Sequence, residues 1–254
     1  MHGVGNDFLV FDRGEVLEVE LPRLARLACD RHFGVGADGI LVPQLSETAD
    51  LKMVYLNSDG SVAEMCGNGI RCLARYARDH KLVSGESFTI ETEAGVKKIL
   101  LHKDGSSRVD IGTPIFNAGV RLGGFNFLRV SVGNPHAVAF LESEEEVEAL
   151  ELREIGPQVE RNPIFPNGSN VEFVFVRGTN DLRMRIWERG AGETLGSGTG
   201  SGAVAMAAMR LSLVENPVRV HLDGGTVEIE WAGEGEPAYM TGPAEYVCEG
   251  RLIF

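Results

Sequence analysis

The chain has 254 residues, 43% of them hydrophobic, and a formal net charge of −13, which leaves room for one large or two ordinary folded domains. The acidic balance speaks against a nucleic-acid or anionic-membrane partner, since either needs a basic patch. No apolar run is long enough to span a bilayer, and MHGVGNDFLVFD lacks the basic start and apolar centre of a signal peptide, so a cytoplasmic protein is expected. In chain order, FLVFD (Phe8–Asp12) reads as a strand, PRLARLACDRH (Pro22–His32) as an amphipathic helix and DLKMVYLN (Asp50–Asn57) as a strand. IRCLARYAR (Ile70–Arg78) is a helix entered through Cys66-Gly67-Asn68-Gly69, and SFTIETEAGVKKILLH (Ser87–His102) closes with alternating strands. PIFNAGVRLGG (Pro114–Gly124) is rich in turn residues and marks a domain boundary. The grammar then repeats. HAVAFLE (His136–Glu142) is a strand, and SEEEVEALELREIG (Ser143–Gly156) a helix whose Ser143 and Glu146 form a capping-box signature. LRMRIWE (Leu182–Glu188) is a strand, a second helix is entered through Ser197-Gly198-Thr199-Gly200, and VRVHLDGGTVEIEW (Val218–Trp231) closes the copy.

The repetition has a nearly constant offset. Ser197 lies 131 positions after Cys66, Asn134 lies 128 after Asn6, and MRIWERGA lies 131 after MVYLNSDG. Gly225 follows Gly95 by 130 positions, and Gly242 follows Gly112 by 130. Five anchors in one order imply two similar domains, 1–114 and 115–243, related by a pseudo-twofold axis. Strands outnumber helices and look mostly antiparallel, so the expected class is α+β. AVAMAAM (Ala203–Met209) is apolar nearly all round, which predicts a helix wrapped by sheet. The acidic run Glu142 to Glu148 reads as a solvated helix face.

Each glycine-rich helix start offers unsatisfied N–H groups and a partial positive charge, a cradle for a carboxylate. Gly67, Gly69, Gly198 and Gly200 let a ligand approach the backbone. A carboxylate held there would have its α-carbon near the Cys66 and Ser197 side chains. The same N–H groups would stabilise the negative charge that builds as an α-proton leaves. At a helix N-terminus a thiol is acidified, so Cys66 is a candidate base. Two such starts facing each other suit a reaction that takes a proton from one face of a carbon and returns it to the other. Cys29, Cys72 and Cys248 read as small buried hydrophobes, and no C-x-x-C pair suggests zinc. Other readings stand beside this one. GTGSGA as a phosphate cradle lacks the P-loop Lys-Ser/Thr and a βαβ unit with a placed acid. GNG and GTG can be plain tight turns, Asn57, Asn134 and Asn170 turn residues, and His136 a structural hydrogen bond. No lysine lies in a glycine-rich turn, so a pyridoxal Schiff base is poorly supported and the expected chemistry is cofactor-free.

MHGVGNDF, RHFGVGADG, NSDGSVAEMCGNGIRC, ETEAG, GNPH, GSNVEF and WERGAGETLGSGTGSGA, in this order and on to the terminal GPAEYVCEGRLIF, resemble the diaminopimelate epimerase family. The resemblance implies two domains, each a barrel-like sheet around a central helix, with the site in the interdomain cleft and the segment 244–254 joined to the first domain. It implies a cofactor-independent isomerase that interconverts LL- and meso-diaminopimelate, a small zwitterionic substrate, and a homodimer. Cys66 matches one catalytic cysteine. Gly67, Asn68, Gly198 and Thr199 match positions that bind the reacting carboxylate. Asn6, Asn57, Asn134, Asn170, Glu188 and Arg189 match the polar set holding the substrate's charged ends, and His136 and Glu188 match residues that tune the catalytic pair. Three positions depart from the pattern: Gly39 stands where many members carry Gln, Ser197 replaces the second catalytic cysteine, and Gly202 replaces a further common cysteine. Ser197 leaves three readings open, namely a working epimerase, a catalytically impaired variant, and a one-base lyase or racemase of the proline racemase type.

Overall fold

The computed structural model describes every residue except Leu17, Glu64 and Phe254. It divides into two compact units, Met1–Val109 with Gly242–Phe254, and Asp110–Thr241. The first unit holds β1 (His2–Gly3), β2 (Asn6–Val10), β3 (Gly39–Gln44), β4 (Leu51–Asn57), β5 (Ser87–Thr92), β6 (Gly95–Leu101) and the start of β7 (Ser107–Gly112). Its helices are α1 (Leu21–Ala28) and α2 (Gly67–Asp79). The strands pair in chain order from β1 to β7. β2–β3 and β4–β5 are parallel, and the other pairs are antiparallel. Each parallel step needs a crossover, and α1 and α2 supply the two. The C-terminal segment adds to the same unit, with Glu245 and His2 exchanging backbone hydrogen bonds of 2.8 and 2.9 Å.

The period-2 alternation of β3 explains why both faces of this sheet are covered. Leu41 joins Ile70, Leu73 and Ala74 of α2 with Phe88, Ile90 and Ile99 of the outer strands. Ile40 and Val42 join Leu24, Ala25 and Ala28 of α1 on the opposite face. The sheet therefore curls around α2 and carries α1 outside.

The second unit repeats the plan. It contains β8 (Ile115–Leu122), β9 (Phe125–Ser131), β10 (Pro135–Phe140), α3 (Glu144–Ala149), α4 (Leu152–Glu160), β11 (Asn170–Gly178) and β12 (Asp181–Glu188). β13 (Gly192–Thr194), α5 (Gly198–Arg210), β14 (Val218–Leu222), β15 (Gly225–Trp231) and β16 (Ala238–Gly242) follow. The strand order is β8-β9-β10-β11-β12-β14-β15-β16, with β13 against β12. β10–β11 and β12–β14 are the parallel pairs, so the alternation matches that of the first unit. α5 touches β9 to β12, β14 and β15, and ten of its thirteen residues are buried.

The α+β class with one sheet-wrapped helix per unit agrees with the sequence. Several details do not. The stretch Pro114–Gly124, read as a turn-rich boundary, is mostly strand β8, and the division falls between Val109 and Asp110. The helix expected over Ser143–Gly156 breaks at Leu150, whose backbone is extended. Arg185 Nη1 donates to the carbonyls of Val147, Glu148 and Leu150 at 3.0, 2.9 and 3.1 Å, capping the first piece from a distant strand. Cys29 and Cys72 are buried as expected, but Cys248 is exposed. Among the described residues no helix is long and apolar enough to cross a membrane.

Two of the departures from the family pattern are closed by packing. A β-carbon on Gly39 would stand 2.5 Å from the Leu56 carbonyl oxygen and 2.7 Å from the Tyr55 ring. One on Gly202 would stand 2.4 Å from Ile111 Cδ1. Overpacking of this kind costs about 1–3 kcal/mol. Gly39→Gln, which meets backbone, should lower the thermal midpoint by roughly 2–12 °C, whereas Gly202→Cys meets the end of the Ile111 side chain and should lower it less. Gly178→Ala, whose β-carbon would meet nothing within 4 Å, is the matched control. Scanning calorimetry decides, and unchanged midpoints at both 39 and 202 would refute the packing account.

Candidate active site

The two helix starts share one geometry. Cys66 caps α2 with φ −136° and ψ 121°, and its sulfur accepts from Gly69 N at 3.4 Å. Ser197 caps α5 with φ −132° and ψ 122°, and its Oγ accepts from Gly200 N at 3.3 Å. An extended cap residue whose side chain accepts from the third N–H is the ordinary way to begin a helix. Here it also aims the side chain across the open first turn. The glycines at the third helical position do a different job from the one expected. A β-carbon on Gly69 would touch Leu41 and Phe8 at 3.4 Å, and one on Gly200 would meet Ile186 at 2.8 Å, so both let the strands close beneath the helix tip.

In the first unit the structure brings Asn6, Cys66, Gly67 and Asn68 together. Asn6 Oδ1 accepts from Cys66 Sγ at 3.4 Å and from Asn68 Nδ2 at 3.3 Å. Asn6 Nδ2 donates to Asp38 Oδ2 at 2.6 Å, which turns the amide oxygen toward the sulfur. Arg31 bonds both Asp38 and Asp7, at 2.9 and 2.8 Å. Burial alone would raise the Asp7 carboxyl, but Arg31 outweighs it and holds it below the usual range. Arg71 is fully buried and donates to Gly67 O at 3.0 Å, Asn68 Oδ1 at 2.9 Å and Pro243 O at 3.2 Å. Burial pulls its pKa down, while the nearby Cys66 and Cys72 push the other way. The guanidinium and the helix start both favour the Cys66 thiolate, and Asn6 Oδ1 favours the thiol. Burial lifts the Cys29 thiol to about 11 and the Cys72 thiol to about 12. Cys66, by contrast, is only half-buried. Asn57 stands apart from this group, donating from Nδ2 to Ser61 Oγ at 3.0 Å in the turn after β4.

In the second unit Asn134, His136 and Thr199 form a chain. Asn134 Nδ2 donates to Thr199 Oγ1 at 3.2 Å, and Asn134 Oδ1 faces His136 Nε2 at 2.9 Å. His136 is completely buried, and its Nδ1 lies 2.5 Å from Oε1 of Glu172. Burial, with Glu188 adding to it, pushes the Glu172 carboxyl up against the pull of His136. Ser197 sits at 3% exposure beside the bare N–H groups of Gly198 and Thr199, and its own hydroxyl hydrogen is committed to no described residue. Asn170 and Arg189 form a separate scaffold. Asn170 donates to Pro135 O at 3.0 Å and accepts from Arg189 N at 2.9 Å. Arg189 Nη1 donates to Asn167 O at 3.0 Å, and Glu188 Oε1 accepts from Thr194 Oγ1 at 2.5 Å. Among the described residues no cluster of three His, Cys, Asp or Glu side chains could hold a metal ion.

Asp38, Arg71 and Glu172 escaped the sequence reading. Glu172 did leave a signal, because it interrupts the apolar run NVEFVFV in a strand covered on both faces. Arg71 left a similar one between Ile70 and Leu73 on a helix buried nearly all round.

Comparison with known proteins places this geometry. The family model described as diaminopimelate epimerase matches residues 1–117 and 128–247. A diaminopimelate epimerase of Desulfitobacterium hafniense is 45% identical over 277 aligned positions, covering 100% of this chain and 96% of the relative. One from a Cyanothece species is 44% identical, covering 98% and 97%. Among solved structures, a phenazine biosynthesis protein of the PhzF family from Bacillus anthracis superposes with a TM-score of 0.72 at 18% identity, over 96% of this chain and 92% of that one. A hydroxyproline epimerase from Agrobacterium vitis does so with a TM-score of 0.67 at 16% identity, over 95% and 87%. These two share the fold. By the sequence match along its whole length, the chain belongs to the diaminopimelate epimerase family of isomerases.

Proposed function

We propose that this chain interconverts LL- and meso-diaminopimelate by removing and returning a proton at one α-carbon without a cofactor, in the supply of lysine and cell-wall precursors. The observation that carries the reading is the pair of helix caps with matching backbone angles, one bearing a thiol and the other a hydroxyl, in a chain of this family. The Cys66 thiolate takes the α-hydrogen as a proton, and the electron pair of the broken C–H bond moves into the adjoining carboxylate. Backbone N–H groups at Gly67, Asn68, Gly198 and Thr199 hold the extra charge, which is largest in the transition state. A proton from Ser197 Oγ reaches the opposite face and inverts the centre. Asn6, Asn134 and the Glu188/Arg189 pair suit a ligand with two amino and two carboxylate groups and no net charge.

Serine limits this scheme in one direction. An alkoxide is inaccessible near neutral pH without a strong base, so Ser197 donates more readily than it abstracts. Ser197→Cys restores a group of near-neutral pKa and should raise epimerase activity at least about tenfold, a lowering of the barrier by about 1.4 kcal/mol. Equal or lower activity would refute this account of residue 197.

In deuterium oxide the unmodified chain should incorporate label at one α-carbon of diaminopimelate, and Cys66→Ala should abolish incorporation. Absence of exchange with both stereoisomers would overturn the proposed reaction. Loss of water or racemisation seen with another amino acid would instead favour the lyase or racemase reading that Ser197 keeps open. Iodoacetamide should label Cys66 and exposed Cys248 in the native protein, leaving Cys29 and Cys72 unreacted. Added diaminopimelate should slow labelling at Cys66 alone; equal protection of both thiols, or of neither, would place the ligand elsewhere.

A further inference from the structure

Beneath the first helical turn the two units part company. In the first, Phe8 and Leu41 lie under Gly69. In the second, the positions 128 and 131 residues later are His136 and Glu172. Glu172 Oε1 lies 3.2 Å from where a β-carbon on Gly200 would stand. An apolar pair has given way to an ionisable pair with no solvent exposure at either side chain. Burying such a pair carries a desolvation cost that its mutual attraction must offset. Glu172 Oε2 adds to that cost, because it is buried with no hydrogen-bond partner among the described residues.

Counting hydrogens shows what the pair sets. Asn134 Oδ1 can only accept, so His136 Nε2, 2.9 Å away, carries a hydrogen. The 2.5 Å contact between Nδ1 and Glu172 Oε1 holds a second. The pair is neutral as a whole, whichever atom owns the shared hydrogen. With its oxygen turned to the ring, Asn134 must present its NH2 group to Thr199 Oγ1. That hydroxyl therefore accepts from Asn134, and its own hydrogen is given to no described residue. Thr199 is the second residue of α5 and only partly buried, beside the bare N–H groups.

We propose that Glu172 is a positioning residue: through His136 and Asn134 it keeps the Thr199 hydroxyl free to donate to a carboxylate held at the start of α5. The identity of that carboxylate rests on the function proposed above. Without an acidic partner at Nδ1, the neutral ring can lose its Nε2 hydrogen, Asn134 can turn over, and the Thr199 hydrogen is drawn inward.

The test is a KM and kcat comparison for α-proton exchange with LL-diaminopimelate. Glu172→Leu should raise KM about tenfold and change kcat far less, the loss of one hydrogen bond to a charged group. Glu172→Gln should stay near wild type, because its amide NH2 can donate to Nδ1 and leave the hydrogen on Nε2. Thr199→Val should raise KM by a similar factor, and Glu172→Leu should add nothing on that background. A wild-type KM in Glu172→Leu, or effects that multiply with Thr199→Val, would overturn the proposal. If Glu172→Leu does not fold, Asn134→Asp replaces it: two acceptor oxygens force the Thr199 hydroxyl to donate inward, and an unchanged KM there is equally fatal. Nitrogen-15 NMR of the ligand-free chain gives an arm independent of the substrate. His136 Nε2 should carry a hydrogen, and a bare Nε2 would sink the proposal. A wild-type chain with no exchange and no binding of diaminopimelate overturns the assigned reaction, while the NMR arm still decides where the hydrogen sits.

Discussion

The organising constraint is the start of a helix held inside a sheet. A helix of thirteen residues is about 20 Å long, close to the length of the six- or seven-residue strands around it. The helix can therefore be sheathed along its length, but its first N–H groups have no partner within the helix. One is met by the cap side chain, Cys66 or Ser197. In α5 those of Gly198 and Thr199 remain donors to no described residue, in a place where a charge counts for more than in water. Gly69 and Gly200 make the arrangement possible by letting Phe8 with Leu41, and Ile186 with Glu172, close beneath the tip. The helix starts and the packing beneath them thus share the same few residues.

The backbone repeats, but the electrostatics do not. In the first unit the buried charge is on the helix, at Arg71, and the strands below are apolar. In the second the helix position corresponding to Arg71 is Gly202, and the ionisable groups His136 and Glu172 come from strands. A cation near Cys66 favours its anion, whereas a pair that is neutral as a whole near Ser197 leaves the hydroxyl in its neutral form. The asymmetry suits a division of labour in which one cap takes a proton and the other gives one. The two helix starts match in backbone and differ chemically in what lies beneath them.

The parts that local pattern encodes were legible. The offsets near 130 located both caps and both asparagines, because each motif carries its glycines and helix start within about ten residues. The parts decided by distant partners were not. Leu150 breaks a helix because Arg185, 35 positions on, takes its carbonyls. β8 looks like a linker because an edge strand tolerates Asn117, Gly119 and exposed polar positions, and only its pairing with β9 makes it a strand. Glu172 and Arg71 break apolar runs, but the partners that explain their burial include the distant His136 and Pro243, which no local pattern reveals. Cys248 lies in a C-terminal segment with no regular strand or helix, where composition says little about exposure.

The substitution at 197 can be understood by separating what the fold asks of that position from what the reaction asks. The fold asks for an acceptor facing the third N–H of α5. Serine is among the best residues for this, and its 3.3 Å bond to Gly200 matches the 3.4 Å bond that sulfur makes in the other unit. Residue 197 can therefore lose its sulfur at no structural cost, and no neighbour need move. Gly39 and Gly202 differ from it, since a β-carbon at 39 would meet the Leu56 carbonyl and the Tyr55 ring, and one at 202 the end of the Ile111 side chain. Position 39 is therefore closed by the Leu56 backbone, and position 202 only by the tip of a side chain. Of the three departures, those at 39 and 202 concern the shape of the core, and the serine concerns the cap of α5.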